Sequence, residues 1–153
     1  CSRLKTSNQS TVFLDGDVMR DIFDYTHKYL PLERKKIAMT YSRLCKMLTV
    51  QGIDVVIATI SMFHEVRDWN RQNIENYKEI YIKVPMEILI ERDQKKLYSR
   101  AFSGKIENVM GVGTKAETEV EEPNNPDIVI VNDGSDTPEF IVDHLIKDLK
   151  LNI

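Results

Sequence analysis

The chain has 153 residues, enough for one domain with a buried core, and its 42% hydrophobic and 29% charged residues are typical of a globular protein. A net charge of -3 at pH 7 excludes a general attraction to nucleic acid or to a membrane surface, so we expect any anion-binding site to be local. No apolar run approaches the roughly 20 residues that span a bilayer. Two cysteines, Cys1 and Cys45, are too few for a disulfide framework, which predicts a reducing, cytoplasmic compartment.

Short apolar runs alternate with segments of helical periodicity along the chain. Strands are predicted at 11–14, 53–58, 79–84 and 127–132, and helices at 18–25, 31–52, 64–77, 85–92 and 137–149. This alternation implies right-handed crossovers and a mostly parallel sheet with helices on both faces. Ligands bind at the carboxyl ends of the strands in such sheets, which directs attention to Asp15-Gly16-Asp17, Thr59-Ile60-Ser61 and Pro85.

The segment 105–125 interrupts the alternation, since it is rich in Gly, Glu and Asn and only weakly periodic. We interpret it as a functional loop or lid, with a lid region that extends over about residues 93–125. No repeat and no second domain is indicated, so residues 1–153 are predicted to form a single domain.

Two carboxylates, Asp15 and Asp17, follow the first apolar strand and are separated by Gly16, which permits a tight turn. A strand that ends in Asp is how phosphoryl-transfer enzymes hold Mg²⁺ or orient an attacking hydroxyl. Taken alone, the motif is more often an ordinary turn, because Asp-Gly is a common turn dipeptide. Arg20 follows in the first helical turn and could meet a phosphate or sulfate, although a lone Arg is usually solvated.

Other candidates have equally ordinary explanations. Arg34 could bind an anion or form an ion pair within its helix. Ser61 ends a strand and would face the crevice, or it would cap the helix that starts at His64. The basic segment 92–100 suits a lid over ATP phosphates, but a solvated amphipathic helix has the same charges.

The order of these signals is specific, and it resembles the adenylyl-sulfate (APS) kinase family from about Phe13 to the C-terminus. The similar segments are 14–20 (family L-D-G-D-x-x-R), 29–34 (G-F-S-x-x-D-R), 59–62 (F-I-S-P), 84–98 (P-L-x-x-x-x-x-R-D-P-K-G-L-Y), 104–106 (G-x-I), 111–112 (G-I) and 122–128 (E-x-P-x-x-P-E-I).

The resemblance implies a three-layer, P-loop NTPase-like α/β fold and a kinase that moves the γ-phosphoryl group of Mg-ATP to the ribose 3′-hydroxyl of a 5′-nucleotide mixed anhydride. It implies that Asp15 orients or deprotonates the hydroxyl and that Asp17 helps to place Mg²⁺. Ser61, a third candidate catalytic residue, matches a serine described in the family as a phosphoserine intermediate. Direct in-line transfer needs no such intermediate, so we expect Ser61 to act first as a substrate-pocket residue.

The resemblance also assigns binding roles and partners. The partners are ATP and a small nucleotide, with neither nucleic acid nor a membrane, and a homodimer is expected because the family often forms one. The acceptor-binding residues would be Arg20, Tyr29, Arg34, Ile60, Lys96 and Val109, and the ATP-binding residues Arg92 and Lys95.

Departures from the family pattern fall at base-reading positions. The positions are Ile37, Met39, Thr40, Thr59, Val109 and Gly113. Loss of a stacking ring removes on the order of 1 kcal/mol or more of base stacking, while the phosphate-handling residues are kept. We therefore expect cytidine diphosphoramidate, a precursor in capsule modification, to be as serious an acceptor as adenylyl sulfate, the substrate of sulfate assimilation.

The phosphate-binding motif G-x-x-x-x-G-K-[ST] and its strand do not occur in this chain, which opens on Cys1. We expect the natural protein to continue upstream and to supply them. Two alternatives remain: a non-catalytic kinase-like module with a regulatory or assembly role, and another P-loop small-molecule kinase. The retained Asp15, Asp17, Arg20 and Ser61 argue against the first, and the match across 85–98 argues against the second.

Overall fold

The computed structural model describes residues 4, 10–25, 30–106, 109, 112 and 121–150. The chain divides into two compact units, of which the first extends to Tyr77 and the second begins at Lys78. The organisation of residues 1–153 as a single domain stays a prediction. None of the helices in the described ranges is long and apolar enough to cross a membrane.

The first unit is built around a parallel pair of strands. Its elements are β1 (Thr11–Asp15), α1 (Gly16–Ile22), α2 (Pro31–Thr49), β2 (Asp54–Ala58) and α3 (His64–Asn73). The register places Thr11 beside Asp54 and Asp15 beside Ala58. The carboxyl ends of both strands therefore lie at one edge, as the sequence predicts.

Local signals set the ends of the helices in this unit. Helix α2 begins with Pro31, whose fixed φ suits a first helical residue, and the chain reverses after the helix at Gly52, where φ is +77°. Helix α3 is shorter than the predicted 64–77. It ends at Asn73 because Ile74 is extended and Asn76 has a left-handed φ of +55°.

The core of the first unit forms between α1 and α2. Met19, Ile37 and Tyr41 form a buried cluster, against which three partly buried hydrophobic residues pack: Leu14, Tyr25 and Leu44. Cys45 of α2 is also buried, and burial raises the pKa of its thiol to about 11.

The second unit contains another parallel pair of strands. Its elements are β3 (Ile80–Lys83), α4 (Met86–Arg92), a 3₁₀ turn (Gln94–Lys96), α5 (Leu97–Phe102), β4 (Ile128–Val131) and α6 (Pro138–Asp148). Ile80 lies beside Ile128 and Lys83 beside Val131. Helix α5 lies within the predicted lid region, whose function as a lid stays a prediction.

Asp127 links the amino ends of β3 and β4. Its carboxylate accepts a hydrogen bond from the Glu79 amide at 2.9 Å and forms an ion pair with Lys78 at 3.2 Å. Its own amide donates to the Glu79 carbonyl at 2.9 Å. Asp127 thus satisfies main-chain groups of both segments that lead into this strand pair.

Candidate functional site

Asp15 lies at the end of β1 and serves as the N-cap of α1. Its Oδ1 accepts hydrogen bonds from the amides of Asp17 at 2.8 Å and Val18 at 3.2 Å. A carboxylate is a favoured N-cap because it satisfies amides that have no partner within the helix. Asp15 Oδ2 has no partner among the described residues. The side chain is therefore held in one orientation with one oxygen available to a ligand.

Gly16 is needed for a different reason from the tight turn that the sequence suggests. It is the first residue of α1 and its φ lies outside the left-handed region. A Cβ at this position would lie 2.9 Å from the Ala58 carbonyl oxygen and 3.2 Å from Thr59 Cγ2. Glycine thus allows the start of α1 to approach the end of β2 closely. Helix α1 begins two residues before the predicted start because Asp15 caps it.

Arg20 lies close to the core of the first unit. Its Nη1 donates to the Tyr25 carbonyl at 3.1 Å. Burial raises the pKa of the Tyr41 hydroxyl, and the positive charge of Arg20 opposes that rise. The guanidinium is therefore held beside α2 by its own unit, while Asp17, on the same helix, is exposed.

Ser61 follows β2 at the same edge of the sheet as Asp15. Its Oγ is buried and has no hydrogen-bond partner among the described residues. The alternative that Ser61 caps α3 is wrong, because the N-cap residue is Phe63 and no side chain makes the capping bond. A buried hydroxyl without a partner is a group that a ligand can satisfy.

Arg67 is a residue of this site that the sequence analysis missed. It is 7% exposed, and its Nη1 donates to the Ser61 carbonyl at 3.1 Å while Nη2 contacts His64 Nδ1 at 2.9 Å. No signal in the sequence distinguishes Arg67 from Arg71, which is exposed on the same helix.

The remaining predicted residues of the first unit differ in exposure. Arg34 is partly buried near the start of α2, and its amide donates to the Leu30 carbonyl at 2.9 Å. Ile60 is 72% exposed. Tyr29 lies outside the described residues. The acceptor-binding roles of all three stay predictions.

The second unit carries the predicted ATP-binding residues and Lys96 on a short basic segment. Arg92 donates from Nη2 to Asn132 Oδ1 at 3.2 Å. Asp93, Lys95 and Lys96 have left-handed φ values of 31°, 57° and 55°, and both lysine side chains are exposed. Non-glycine residues adopt this conformation at a cost, which is usually borne at functional sites.

Asp93 fixes the path of this segment. Its Oδ1 accepts from the amides of Tyr98 at 2.8 Å and Ser99 at 3.2 Å. Hydrogen bonds from the Ser99 side chain and then from these amides lower the pKa of the Asp93 carboxyl. The kink before α5 thus has a specific cause. Val109, further along the unit, is 7% exposed, and its base-contact role stays a prediction.

The carboxylates of the first unit suit a metal that arrives with its substrate. In the described part of the chain, no group of three or more His, Cys, Asp or Glu side chains could hold an ion by itself. Mg²⁺ is commonly bound by one or two carboxylates together with substrate phosphates. Asp15 and Asp17 suit this shared mode of binding, because two carboxylates are too few to surround the ion without a substrate.

Comparisons with known proteins identify the family of this chain. The profile of the family described as adenylylsulphate kinase matches residues 2–131. Cytidine diphosphoramidate kinase of Campylobacter jejuni is 39% identical over 149 residues, which cover 97% of this chain and 84% of that protein. Adenylyl-sulfate kinase of Pseudomonas aeruginosa is 33% identical over 144 residues, which cover 93% of this chain and 71% of that protein.

A solved structure supports the fold. The Mycobacterium tuberculosis APS kinase CysC, in complex with AMPPNP and APS, matches with a TM-score of 0.84 at 22% identity, covering 97% of this chain and 85% of that one. The predicted P-loop NTPase-like α/β fold is therefore confirmed. The family and these relatives also confirm the prediction of a kinase and give no support to a non-catalytic module. The chain belongs to the adenylylsulphate kinase family.

Proposed function

We propose that this protein transfers the γ-phosphoryl group of ATP to the ribose 3′-hydroxyl of a 5′-nucleotide mixed anhydride, with cytidine diphosphoramidate as the preferred acceptor. The observation that carries the reaction is the Asp15 carboxylate, which two main-chain amides hold at the sheet edge where β1 ends, beside the end of β2, the strand that Ser61 follows. Such an edge is where parallel sheets bind ligands.

Asp15 acts on the acceptor. With Oδ1 engaged by the amides of Asp17 and Val18, Oδ2 receives the proton of the ribose hydroxyl. The hydroxyl oxygen forms a bond to the γ-phosphorus as the bond from that phosphorus to the β–γ bridging oxygen breaks. ADP leaves, and the proton passes from Asp15 to solvent. Holding the carboxylate in advance removes part of the entropy cost of alignment.

Magnesium and ATP complete the proposal. Mg²⁺ bound with ATP would neutralise charge on the phosphate oxygens, and Asp17 is the exposed carboxylate suited to help hold it. Arg92 and Lys95 are the cations proposed to meet the ATP base and phosphates. Lys96 and Arg20 are proposed for the anionic linkage of the acceptor.

Two observations favour the cytidine acceptor. The identity of 39% to the cytidine diphosphoramidate kinase of Campylobacter jejuni exceeds the 33% to the Pseudomonas adenylyl-sulfate kinase. In addition, Ile37 stands at the position of a family asparagine and is 5% exposed, packed with Met19 and Tyr41. A core side chain at that position cannot offer the hydrogen bonds of an amide to an adenine nucleotide.

A coupled ADP-release assay on the full-length protein tests the proposal. We expect cytidine diphosphoramidate to give a kcat/KM at least about tenfold above that of adenylyl sulfate, as the loss of hydrogen-bonding partners predicts. Preference for adenylyl sulfate would overturn the acceptor, and inertness toward both would overturn the kinase. A cytoplasmic location and a homodimer are also proposed, and light scattering checks the dimer.

A further inference from the structure

A buried arginine braces the segment that carries Ser61. Arg67 is 7% exposed although it bears a full charge, which is costly to bury unless hydrogen bonds satisfy it. Its guanidinium reaches backward along the chain, from the first turns of α3 to the Ser61 carbonyl at 3.1 Å. The same group therefore joins a helix to the loop that leaves β2.

His64 provides a second point of attachment for the Arg67 guanidinium. Arg67 Nη2 lies 2.9 Å from His64 Nδ1. A guanidinium has donors and no acceptor, so Arg67 donates this bond to His64 Nδ1. Arg67 thus holds both ends of the four-residue stretch 61–64.

The braced segment presents a polar group that still lacks a partner. Ser61 Oγ is buried and makes no hydrogen bond with the described residues. The start of the same loop, at Ala58 and Thr59, lies close to Gly16. The loop is therefore in contact with α1 at its start and with Arg67 at the Ser61 carbonyl.

We propose that Arg67 is a positioning residue for the acceptor site: by its bonds to the Ser61 carbonyl and His64, it fixes the main chain so that Ser61 Oγ is presented to the acceptor nucleotide. This inference rests on the proposed function, because the acceptor is the ligand that Oγ would meet. Arg67 does not touch the acceptor. Its effect is transmitted through Ser61.

A double-mutant cycle tests this transmission. We expect Arg67→Met to lower kcat/KM for the acceptor about 10- to 100-fold, mainly through KM, as loss of a charged hydrogen bond predicts, with the KM for ATP unchanged. Ser61→Ala should lower the same quantity. The double variant should be no worse than Ser61→Ala alone, because the group that Arg67 positions is then already gone. Additive losses, or an equal rise in both KM values, would overturn the proposal.

Two further variants control for folding. Arg43→Met removes an exposed arginine from α2 of the same unit and should leave both KM values unchanged. Arg67→Lys keeps the charge and part of the hydrogen bonding, so its kcat/KM for the acceptor should fall less than that of Arg67→Met. If Arg67→Met fails to fold, Arg67→Lys replaces it in the double-mutant cycle and is measured with and without Ser61→Ala. We again expect the two substitutions to have less than additive effects on kcat/KM for the acceptor.

Hydrogen exchange separates this inference from the proposed function. In Arg67→Met, the amides of residues 59–64 should exchange faster than in the natural protein, while those of β1 and β2 keep their rates. Unchanged exchange at 59–64 would overturn the bracing role even if turnover falls. A natural protein inert toward both acceptors would instead overturn the proposed function, and exchange would still decide whether Arg67 braces the loop.

Discussion

The two groups of candidate residues are held in opposite ways. At the edge of the first unit, Asp15 is fixed by two amide bonds, Ser61 Oγ is buried, and Arg67 is enclosed behind it. In the basic segment of the second unit, Lys95 and Lys96 are exposed, and their backbone adopts a left-handed conformation.

This difference matches the distances over which the two groups would act. A carboxylate that takes a proton must be placed to within a fraction of an ångström, which requires bonds and burial. A cation that attracts phosphates acts through a field that falls off slowly, so a flexible side chain on a well-placed backbone suffices. The contrast can be tested in each region by separating charge from geometry.

Removal of the Asp15 charge should have the largest effect. Asp15→Asn keeps a good N-cap, so α1 and the thermal stability should be preserved, while kcat/KM falls about 100- to 10,000-fold because the proton acceptor is lost. Steady-state kinetics and a thermal melt measure the two effects. Asp17→Asn removes the charge of an exposed carboxylate and should lower kcat/KM by a smaller factor than Asp15→Asn does. A loss below tenfold in Asp15→Asn would contradict its role with the hydroxyl.

Filling the space at Gly16 should disturb the edge through packing alone. Gly16→Ala places a Cβ 2.9 Å from a main-chain oxygen of Ala58 that cannot move without its strand. We expect a loss of about 1–3 kcal/mol in unfolding free energy, as for other overpacked sites, measured by urea denaturation. Val18→Ala on the exposed face of α1 is the control and should stay within about 0.5 kcal/mol. If Gly16→Ala is as stable as the natural protein, the close approach of α1 to the Ala58 carbonyl is not maintained.

The basic segment permits charge and backbone strain to be separated at one residue. Lys96→Ala removes the charge and keeps a Cβ at φ 55°, whereas Lys96→Gly removes both charge and strain. We expect the glycine variant to be more stable than the alanine variant by about 1 kcal/mol, seen in denaturant melts. If Lys96 binds the acceptor, both variants should show the same rise in acceptor KM. Different KM values would assign the effect to the backbone.

The smallest expected effect concerns the Asp93 carboxylate. Its pKa is lowered in the folded protein, so its hydrogen bonds with Tyr98 and Ser99 contribute stability that is present above the unfolded value of about 3.9 and is lost as pH falls through the lower folded pKa. The Tyr98 and Ser99 amide resonances should shift in that acid window. Asp93→Asn should abolish this pH-dependent shift of the two amide resonances. A midpoint above the unfolded pKa would contradict the lowered pKa of Asp93 in the folded protein.

Much of the first unit could be predicted from local patterns. The apolar runs that end at Asp15 and Ala58 gave both strands, and the alternation with helices gave their parallel pairing and the edge where the candidates meet. Helix α3 was predicted four residues too long, because the left-handed Asn76 leaves no strong signal in an otherwise helical composition.

What escaped prediction depends on contacts between distant segments. The need for glycine at position 16 follows from the register that sets Asp15 beside Ala58, 43 positions later in the chain. The burial of Arg67 depends on how α3 turns back over the loop after β2. Neither has a local signature, since Asp-Gly also starts turns and arginine is usually exposed.

The hydrogen bonds of Asp127 have a consequence for how the second unit reaches one structure. A slip by one residue between β3 and β4 would turn every side chain of one strand to the opposite face. Such a slip would separate Asp127 from Glu79 and Lys78 and leave charged and main-chain groups without partners. Misaligned pairings are therefore penalised at the amino ends of β3 and β4, and the register set there also aligns the residues at the carboxyl ends of the same two strands.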